Sequence, residues 1–285
     1  MSTMQYFSKP ITEIIKARTS IRTYDPKALD EKEKKNLDNY INTIDAPFTG
    51  STRFKIVDNA AAINDNIKLG TYGVIKGASS FIASAVGPGE FNLEELGYKL
   101  ERIILYATSL GIGTCWLGGT FKKGEFSKAM KLEEGEILPI ISPIGYKSES
   151  KSIVEKLMRK AAGSSNRRNW VDIFFDGSFD KKLTPEEGGN FKDALEMLRL
   201  APSASNKQPW RLVKDKSTFH FYLYHAKGYS NSLGFDMQRI DMGIAMCHFD
   251  LVLKEAGIFG KFKELEPSIK EPNDNYEYII SWVLE

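Results

Sequence analysis

From residue 201 to residue 210 the chain reads APSASNKQPW. This stretch follows a helix-forming run and places short hydroxyl and amide side chains between Pro202 and Pro209. The two prolines fix φ near both ends, and no residue between them suits a long helix or strand. The pattern predicts a rigid polar turn that presents hydroxyls, an amide and backbone N–H groups to a flat ligand with polar edges. An ordinary surface loop is the alternative.

A second motif lies near the N-terminus and reads Arg18-Thr19-Ser20-Ile21-Arg22. Two arginines four residues apart flank two hydroxyls, just after the amphipathic stretch 11–17. The planar fork of donors on arginine fits a phosphate, and the Thr and Ser hydroxyls add neutral donors. The motif therefore indicates a phosphate site, with a solvated charged turn as the alternative.

A third segment, residues 111–119, reads GIGTCWLGG. Paired glycines let the backbone come close to a ligand, so that its N–H groups can donate hydrogen bonds to it. The same letters also predict the end of a helix at Gly111 and a short buried strand after it.

Taken together, the three segments resemble the FMN-dependent nitroreductase family. Its members carry an R-x-S-x-R/K motif, a P-S-x-x-N-x-Q-P-W turn after the next helix, and a glycine-containing loop after the central helix. The turn is the most specific match, and it holds at Pro202, Ser203, Asn206, Gln208, Pro209 and Trp210. The spacing departs from a plain member, because Pro202 lies 184 residues after Arg18 and the family separates these motifs by a few tens of residues.

An internal duplication accounts for this displacement. Five elements recur in the same order: a polar helix, a strand, a second strand, a long helix and a late strand. The matched segments are 30–46 and 184–201, 54–57 and 210–213, 81–86 and 219–224, 97–110 and 243–256, and 140–142 and 279–281. Asp30 and Thr184 are the predicted N-caps of the two polar helices. The interval between the turn and the next strand is shorter in the second copy, which predicts that this copy has lost a helix.

The predicted fold is α+β and nitroreductase-like, with a mixed, mostly antiparallel sheet and flanking helices in each half. We place the first half at residues 1–165 and the second at 166–285, with the linker near 147–166 and a short helical run at 154–162. The halves would form an intrachain pseudo-dimer, so that the protein acts as a monomer.

The resemblance implies one complete FMN site per chain. Members of the family are homodimers in which the arginine motif and glycine loop of one subunit meet the Pro-Ser turn of the other. Here the first half keeps the arginine motif and glycine loop but reads Pro47-Phe48-Thr49-Gly50 at the turn. The second half keeps the turn, lacks an R-x-S-x-R motif, and reads Gly257-Ile258-Phe259-Gly260 at its loop.

The resemblance also implies a role for each matching residue. Arg18 and Ser20 would bind the FMN phosphate, and Arg22 would face the N1 and C2 carbonyl edge of the flavin. Arg167 and Arg168 resemble basic residues that reach the phosphate, with a solvated linker charge as the alternative. The full set expected to bind FMN is Arg18, Thr19, Ser20, Arg22, Trp116, Leu117, Gly118, Gly119, Arg167, Arg168, Pro202, Ser203, Ala204 and Asn206.

The implied activity is a ping-pong transfer of electrons from NAD(P)H through FMN to nitroaromatics, quinones or similar small acceptors, with no catalytic side chain. Tyr72, Phe91 and Tyr98 are candidates for the substrate side, and core packing is the alternative for each. Two other functions stay open: a flavin-dependent enzyme of this fold that does not use nicotinamide, and a flavin-binding or storage protein. A flavin-free interaction module is a further alternative.

The composition limits the classes of protein to which the chain could belong. With 285 residues, 42% of them hydrophobic, the chain can bury two modest cores or one double core. A formal charge of +2 argues against general nucleic-acid binding. The opening ten residues lack a signal-peptide pattern and no apolar run could span a bilayer, so we expect a soluble cytoplasmic protein without membrane partners. The two cysteines and three histidines predict neither a disulfide nor a metal site.

Overall fold

The computed structural model describes residues 6–149, 166–226 and 233–285. Its contacts divide the chain into two compact units. The first unit is Ala17–Gly163, and the second unit combines Met1–Lys16 with Ser164–Glu285. The helical run expected at 154–162 lies outside the described residues, as does most of the linker. The division at residue 165 therefore stays a prediction.

The first unit is built on a four-stranded antiparallel sheet with strand order β1-β2-β4-β3. The first helix in the chain is α1 (Ile11–Ala17), and most of it belongs to the second unit. The elements of the first unit are α2 (Glu31–Thr43), β1 (Thr52–Asp58), α3 (Asn59–Asn64), β2 (Ser80–Val86), α4 (Asn92–Ser109), β3 (Gly113–Thr114), α5 (Lys123–Met130) and β4 (Ile141–Gly145).

Burial explains why β2 is central in this sheet. Its sequence SFIASAV is buried at every position, and it pairs with β1 on one side and β4 on the other. Phe81 of β2 packs edge-on against Phe126 of α5, with ring centroids 5.2 Å apart. Leu138 and Ile141 complete the same apolar cluster. A continuous apolar run is typical of a strand covered on both faces.

The second unit contains a six-stranded sheet with strand order β6-β5-β7-β8-β10-β9. Only β5 and β7 run parallel; the other neighbouring pairs are antiparallel. Its elements are β5 (Phe174–Asp176), β6 (Ser178–Lys182), α6 (Lys192–Arg199), β7 (Trp210–Asp215), β8 (Thr218–Tyr224), α7 (Met237–Glu255), β9 (Gly260–Lys263) and β10 (Tyr276–Leu284). The α+β fold class with mostly antiparallel sheets is therefore confirmed.

Of the two predicted N-caps, Asp30 is confirmed and Thr184 is wrong. The Asp30 carboxylate accepts hydrogen bonds from the N–H groups of Lys32 (2.9 Å) and Glu33 (3.4 Å), as predicted. Thr184 does not cap a helix. It exchanges hydrogen bonds with Glu187 in an isolated turn, and α6 begins only at Lys192. The chain cannot continue as a helix between them because Gly189 has a φ of +53°.

Strands β7-β8-β10-β9 of the second unit repeat the strand order β1-β2-β4-β3 of the first, with the same antiparallel pairing. The connection from β1 to β2 contains α3, whereas β7 and β8 are joined by a two-residue turn at Lys216 and Ser217. This agrees with the helix loss that the spacing predicts.

Helix α7 is buried on nearly all sides, whereas α4 keeps a more clearly amphipathic pattern. Cys115 and Cys247 are buried thiols, and no disulfide joins them. Among the described residues, none of the helices has both the length and the apolar character that a membrane crossing requires.

Candidate functional site

Within the first unit, the arginine motif lies directly beside the start of the glycine loop. The Ile21 N–H donates to the carbonyl of Thr114 in β3 at 2.8 Å, and Ser20 forms a parallel bridge with Thr114. Helix α4 gives way to this strand at Gly111, whose φ is +79°. The motif therefore acts as a short extra strand on the edge of the sheet, next to β3.

Glu101 of α4 connects the two motifs through its side chain. One carboxylate oxygen accepts a hydrogen bond from Trp116 Nε1 at 2.9 Å, and the other lies 3.7 Å from Arg18 Nε. The side chain of Glu101 is fully buried, and that of Arg18 is 9% exposed. The carboxylate therefore orients both a guanidinium of the arginine motif and an indole of the glycine loop.

Two arginine nitrogens at this site lack an acceptor. Within the described residues, the buried Nε atoms of Arg18 and Arg22 have no hydrogen-bond partner. Leaving a buried donor unpaired is costly, and more so for a charged group. An anionic ligand with several acceptor atoms would satisfy both. The pair therefore identifies a candidate anion site.

The glycine loop can offer main-chain donors at Gly118 and Gly119 but not at Leu117. The N–H and carbonyl of Leu117 both pair with Ile141 of β4 at 3.0 Å, and the residue is buried. Gly118 is partly exposed and Gly119 is exposed. Gly118 and Gly119 are therefore candidates for main-chain N–H donors to a ligand.

Within the second unit, residues 202–208 form a tight turn with unusual backbone angles. Ser205, Asn206 and Gln208 all have positive φ, at +47°, +56° and +50°. Such angles are uncommon for residues other than glycine, and a cluster of them stores strain of the kind found at ligand sites. The Ser203 hydroxyl closes the turn by accepting the Gln208 N–H at 2.8 Å.

Arg167 supports this turn from one side. Its guanidinium donates to Asn206 Oδ1 at 3.1 Å and to the Leu200 carbonyl at 3.1 Å. The Arg168 N–H donates to Gln208 Oε1 at 2.8 Å, while the Arg168 side chain is exposed. The structure thus groups Arg167 and Arg168 with the Pro-Ser turn. It groups Arg18, Thr19, Ser20 and Arg22 with the glycine loop of the other unit.

A family model described as "Putative TM nitroreductase" matches residues 10–253. The chain belongs to this nitroreductase family. No curated protein matches the sequence.

Solved structures of the nitroreductase class are similar to this chain. A protein of Thermotoga maritima, described as a putative nitroreductase, is 20% identical with a TM-score of 0.61, covering 97% of this chain and 94% of its own length. This likeness shows that the nitroreductase fold extends over the whole chain. A nitroreductase with bound FMN from Bacteroides fragilis is 20% identical, covers 51% of this chain and 92% of its own, and has a TM-score of 0.41.

The three residues that were candidates for the substrate side in this member of the nitroreductase family differ in how far they are buried. Tyr98 is fully buried, and Phe91 stacks on Phe48 with centroids 5.9 Å apart. Both therefore have a packing role. Tyr72 is 69% exposed, so core packing does not explain it.

The three histidines have structural partners. His220 is buried in β8, where Nδ1 pairs with Ser281 Oγ at 2.7 Å and burial lowers the pKa of the imidazole. His248 pairs with the Met197 carbonyl and His225 with Glu277. In the described part of the chain, no three His, Cys, Asp or Glu side chains are grouped so that they could hold a metal ion.

Sequence reasoning missed two carboxylates, Glu101 and Asp241. Asp241 of α7 is buried and accepts the Ala204 N–H with both oxygens, at 3.0 and 3.2 Å. Burial raises the pKa of Asp241 well above its ordinary value, although the Ala204 hydrogen bond opposes the shift. The available signal was an acidic residue at the edge of an apolar run of helix, before Ile103-Ile104-Leu105 for Glu101 and before Met242-Gly243-Ile244 for Asp241.

Asp241→Asn is expected to become more stable relative to the wild type as pH rises from 4 to 8. A raised pKa in the folded state means that Asp241 contributes its stability below the unfolded pKa and loses it as pH rises through the folded pKa. Asn keeps an acceptor for Ala204 without the charge. Each unit of pKa shift corresponds to about 1.4 kcal/mol, and urea unfolding at several pH values measures the difference.

The control is Asp193→Asn, at an exposed position in the first turn of α6 of the same unit. Its difference from wild type should not follow pH in this way. A difference between Asp241→Asn and wild type that stays constant over this range would contradict the buried-carboxyl explanation.

Proposed function

We propose that this chain is an FMN-dependent oxidoreductase that moves electrons from NADH or NADPH to small acceptors such as nitroaromatics and quinones. The main observation is that two buried arginine Nε atoms beside the glycine loop, those of Arg18 and Arg22, have no hydrogen-bond partner among the described residues. FMN would offer an acceptor to each of them, its phosphate to Arg18 and the N1 and C2 carbonyl edge of the flavin to Arg22. Membership of the nitroreductase family supports the same assignment.

Each group has a proposed task. Arg18 and Ser20 bind the phosphate, and Glu101 keeps Arg18 and Trp116 oriented. Arg22 places positive charge at the flavin edge that gains negative charge on reduction, and such a charge raises the reduction potential. FMN, when bound, supplies the redox chemistry by accepting hydride from nicotinamide and passing electrons to the acceptor. Gly118 and Gly119 offer N–H donors, and the turn with Ser203 and Asn206 contributes polar groups.

We further propose that the chain arose by internal duplication and binds one FMN as a monomeric pseudo-dimer. The repeated strand order supports the duplication. In the first unit, Phe48 stands where the second has Ser203, and its ring packs against those of Phe91 and Tyr98 at 5.9 and 6.0 Å. An aromatic side chain thus replaces the hydroxyl of the turn. In the second unit, the loop runs from Gly257 directly into β9.

The purified protein reconstituted with FMN tests the proposal. We expect one FMN per chain after release by denaturation, and rapid bleaching of the flavin on anaerobic mixing with NADH or NADPH. Two flavins per chain would refute the single-site argument. A flavin that binds but stays yellow with both nicotinamides would favour the alternatives, a storage protein or an enzyme using another reductant. A colourless protein that cannot be reconstituted would indicate an interaction module.

A further inference from the structure

The turn formed by residues 70–77 joins the two motifs of the first unit. The Gly70 carbonyl accepts a hydrogen bond at 2.8 Å from the N–H of Lys122, just after the glycine loop. At the other end, the Lys76 N–H donates to the Arg22 carbonyl at 2.9 Å, and the Lys76 carbonyl accepts the Tyr24 N–H at 2.8 Å. This connecting turn is therefore anchored to both segments that are proposed to bind FMN.

The body of the connecting turn is well supported. The Val74 N–H donates to the Thr71 carbonyl at 2.9 Å, and the Ile75 N–H donates to the Thr71 hydroxyl at 3.3 Å. Thr71 is buried, and Val74 and Ile75 pack against the core cluster that contains Phe81. The tip therefore projects from a firmly held base.

Tyr72 at the tip is both strained and exposed. Its φ is +48° and that of Gly73 is +77°, so the two central residues of the turn are left-handed, as in a type I′ turn. Asn or Gly would occupy the Tyr72 position with less strain. The tyrosine side chain is 69% exposed, so burial does not compensate for the strain.

We propose that Tyr72 contacts the electron acceptor through its ring and favours planar, conjugated acceptors over non-planar ones. An exposed ring on a rigid turn between the arginine motif and the glycine loop offers a preformed stacking surface, and little side-chain freedom is lost on binding. Tyr72 keeps a left-handed φ without burial to offset it, and strain of this kind is typical of ligand contacts. This inference rests on the proposed flavin-dependent activity and names a specificity residue for it.

Tyr72→Asn tests the inference, because Asn suits the turn and removes the ring. We expect kcat/KM for a benzoquinone to fall about tenfold, within the range of one aromatic contact, and kcat/KM for ferricyanide to change less than twofold. The equilibrium dissociation constant of the FMN-loaded protein for 2-naphthoate, a planar aromatic ligand, should rise about tenfold. FMN content and the rate of flavin reduction by nicotinamide should match the wild type. The melting temperature of the flavin-free variant should equal or exceed that of the wild type.

Two further variants complete the experiment. Tyr72→Phe keeps the aromatic ring and should therefore retain the preference of the wild type for the quinone over ferricyanide. Ile63→Gln, which removes another exposed apolar side chain from the same β1–β2 connection (66% exposed), should behave as wild type. Equal kinetics and equal naphthoate binding for Tyr72→Asn and wild type would overturn the inference. A wild-type protein that binds no FMN or reduces no acceptor would instead overturn the proposed function itself.

Discussion

Replacing Arg18 with alanine is expected to lower the affinity for FMN at least about a hundredfold. A guanidinium gives a phosphate two charge-assisted hydrogen bonds, each contributing about 1.5 to 3 kcal/mol. The Arg18 side chain is already buried and oriented by Glu101 before a ligand arrives, so little ordering cost offsets this gain. Titration of FMN into the flavin-free protein, followed by quenching of flavin fluorescence, measures the dissociation constant.

The alanine variant alone would leave the Glu101 carboxylate buried without its cationic neighbour, which is destabilising. The double variant Arg18→Met with Glu101→Gln removes both charges, so it should remain folded while losing FMN affinity. Arg53→Ala is the matched control, since Arg53 pairs with Glu136 on another part of the first unit. FMN binding by both Arg18 variants as tight as in wild type would place the phosphate elsewhere.

Gly77→Ala is expected to cost about 3 to 4 kcal/mol of the free energy of unfolding. Gly77 has a φ of +81°, and a Cβ added there would lie 2.2 Å from the Tyr24 carbonyl oxygen. The left-handed angle costs about 1 to 2 kcal/mol, and relieving the overlap costs about 1 to 3 more. Because the backbone of Tyr24 must move, the adjoining Lys76–Arg22 hydrogen bond weakens and FMN affinity should fall as well.

Gly73→Ala separates the two causes within the same turn. Gly73 has a φ of +77°, but a Cβ there would meet no atom within 4 Å. It should therefore lose only the left-handed cost of about 1 to 2 kcal/mol and keep its FMN affinity. Urea unfolding followed by far-UV circular dichroism gives both values. Equal losses for the two variants would show that the contact with Tyr24 has no energetic weight.

The sequence predicted those parts of the fold that depend on residues close together in the chain. The apolar run of β2 and the N-cap at Asp30 both lie where the sequence predicts. The start of α6 was not predicted correctly. Thr184 and Glu187 form a cap-like pair in a turn, and the positive φ of Gly189 prevents this turn from continuing as a helix. A capping pattern stabilises a first turn, but the residues after it decide whether a helix follows.

The site was predictable in its parts. The arginine motif and the glycine loop were each recognised from their own residues, and in the first unit they lie next to each other. Leu117 was expected among the flavin contacts, yet its N–H and carbonyl belong to the sheet. Arg167 was expected either at a phosphate or as a solvated linker charge; within its unit its guanidinium donates to Asn206, and its contact with a phosphate stays a prediction. Whether one flavin uses groups from both units stays a prediction.

The amino-acid sequence by itself determined the recurring strands of the two halves, the two long helices and the motifs. Periodicity, capping residues and short donor-rich patterns act between near neighbours in the chain. Only the tertiary structure decided how those motifs are supported: Glu101 beside Arg18 and Trp116, Asp241 under Ala204, and Tyr72 at the tip of the connecting turn. These contacts join residues far apart in sequence. Their energies depend on burial and on hydrogen-bond geometry, which exist only once the chain has folded.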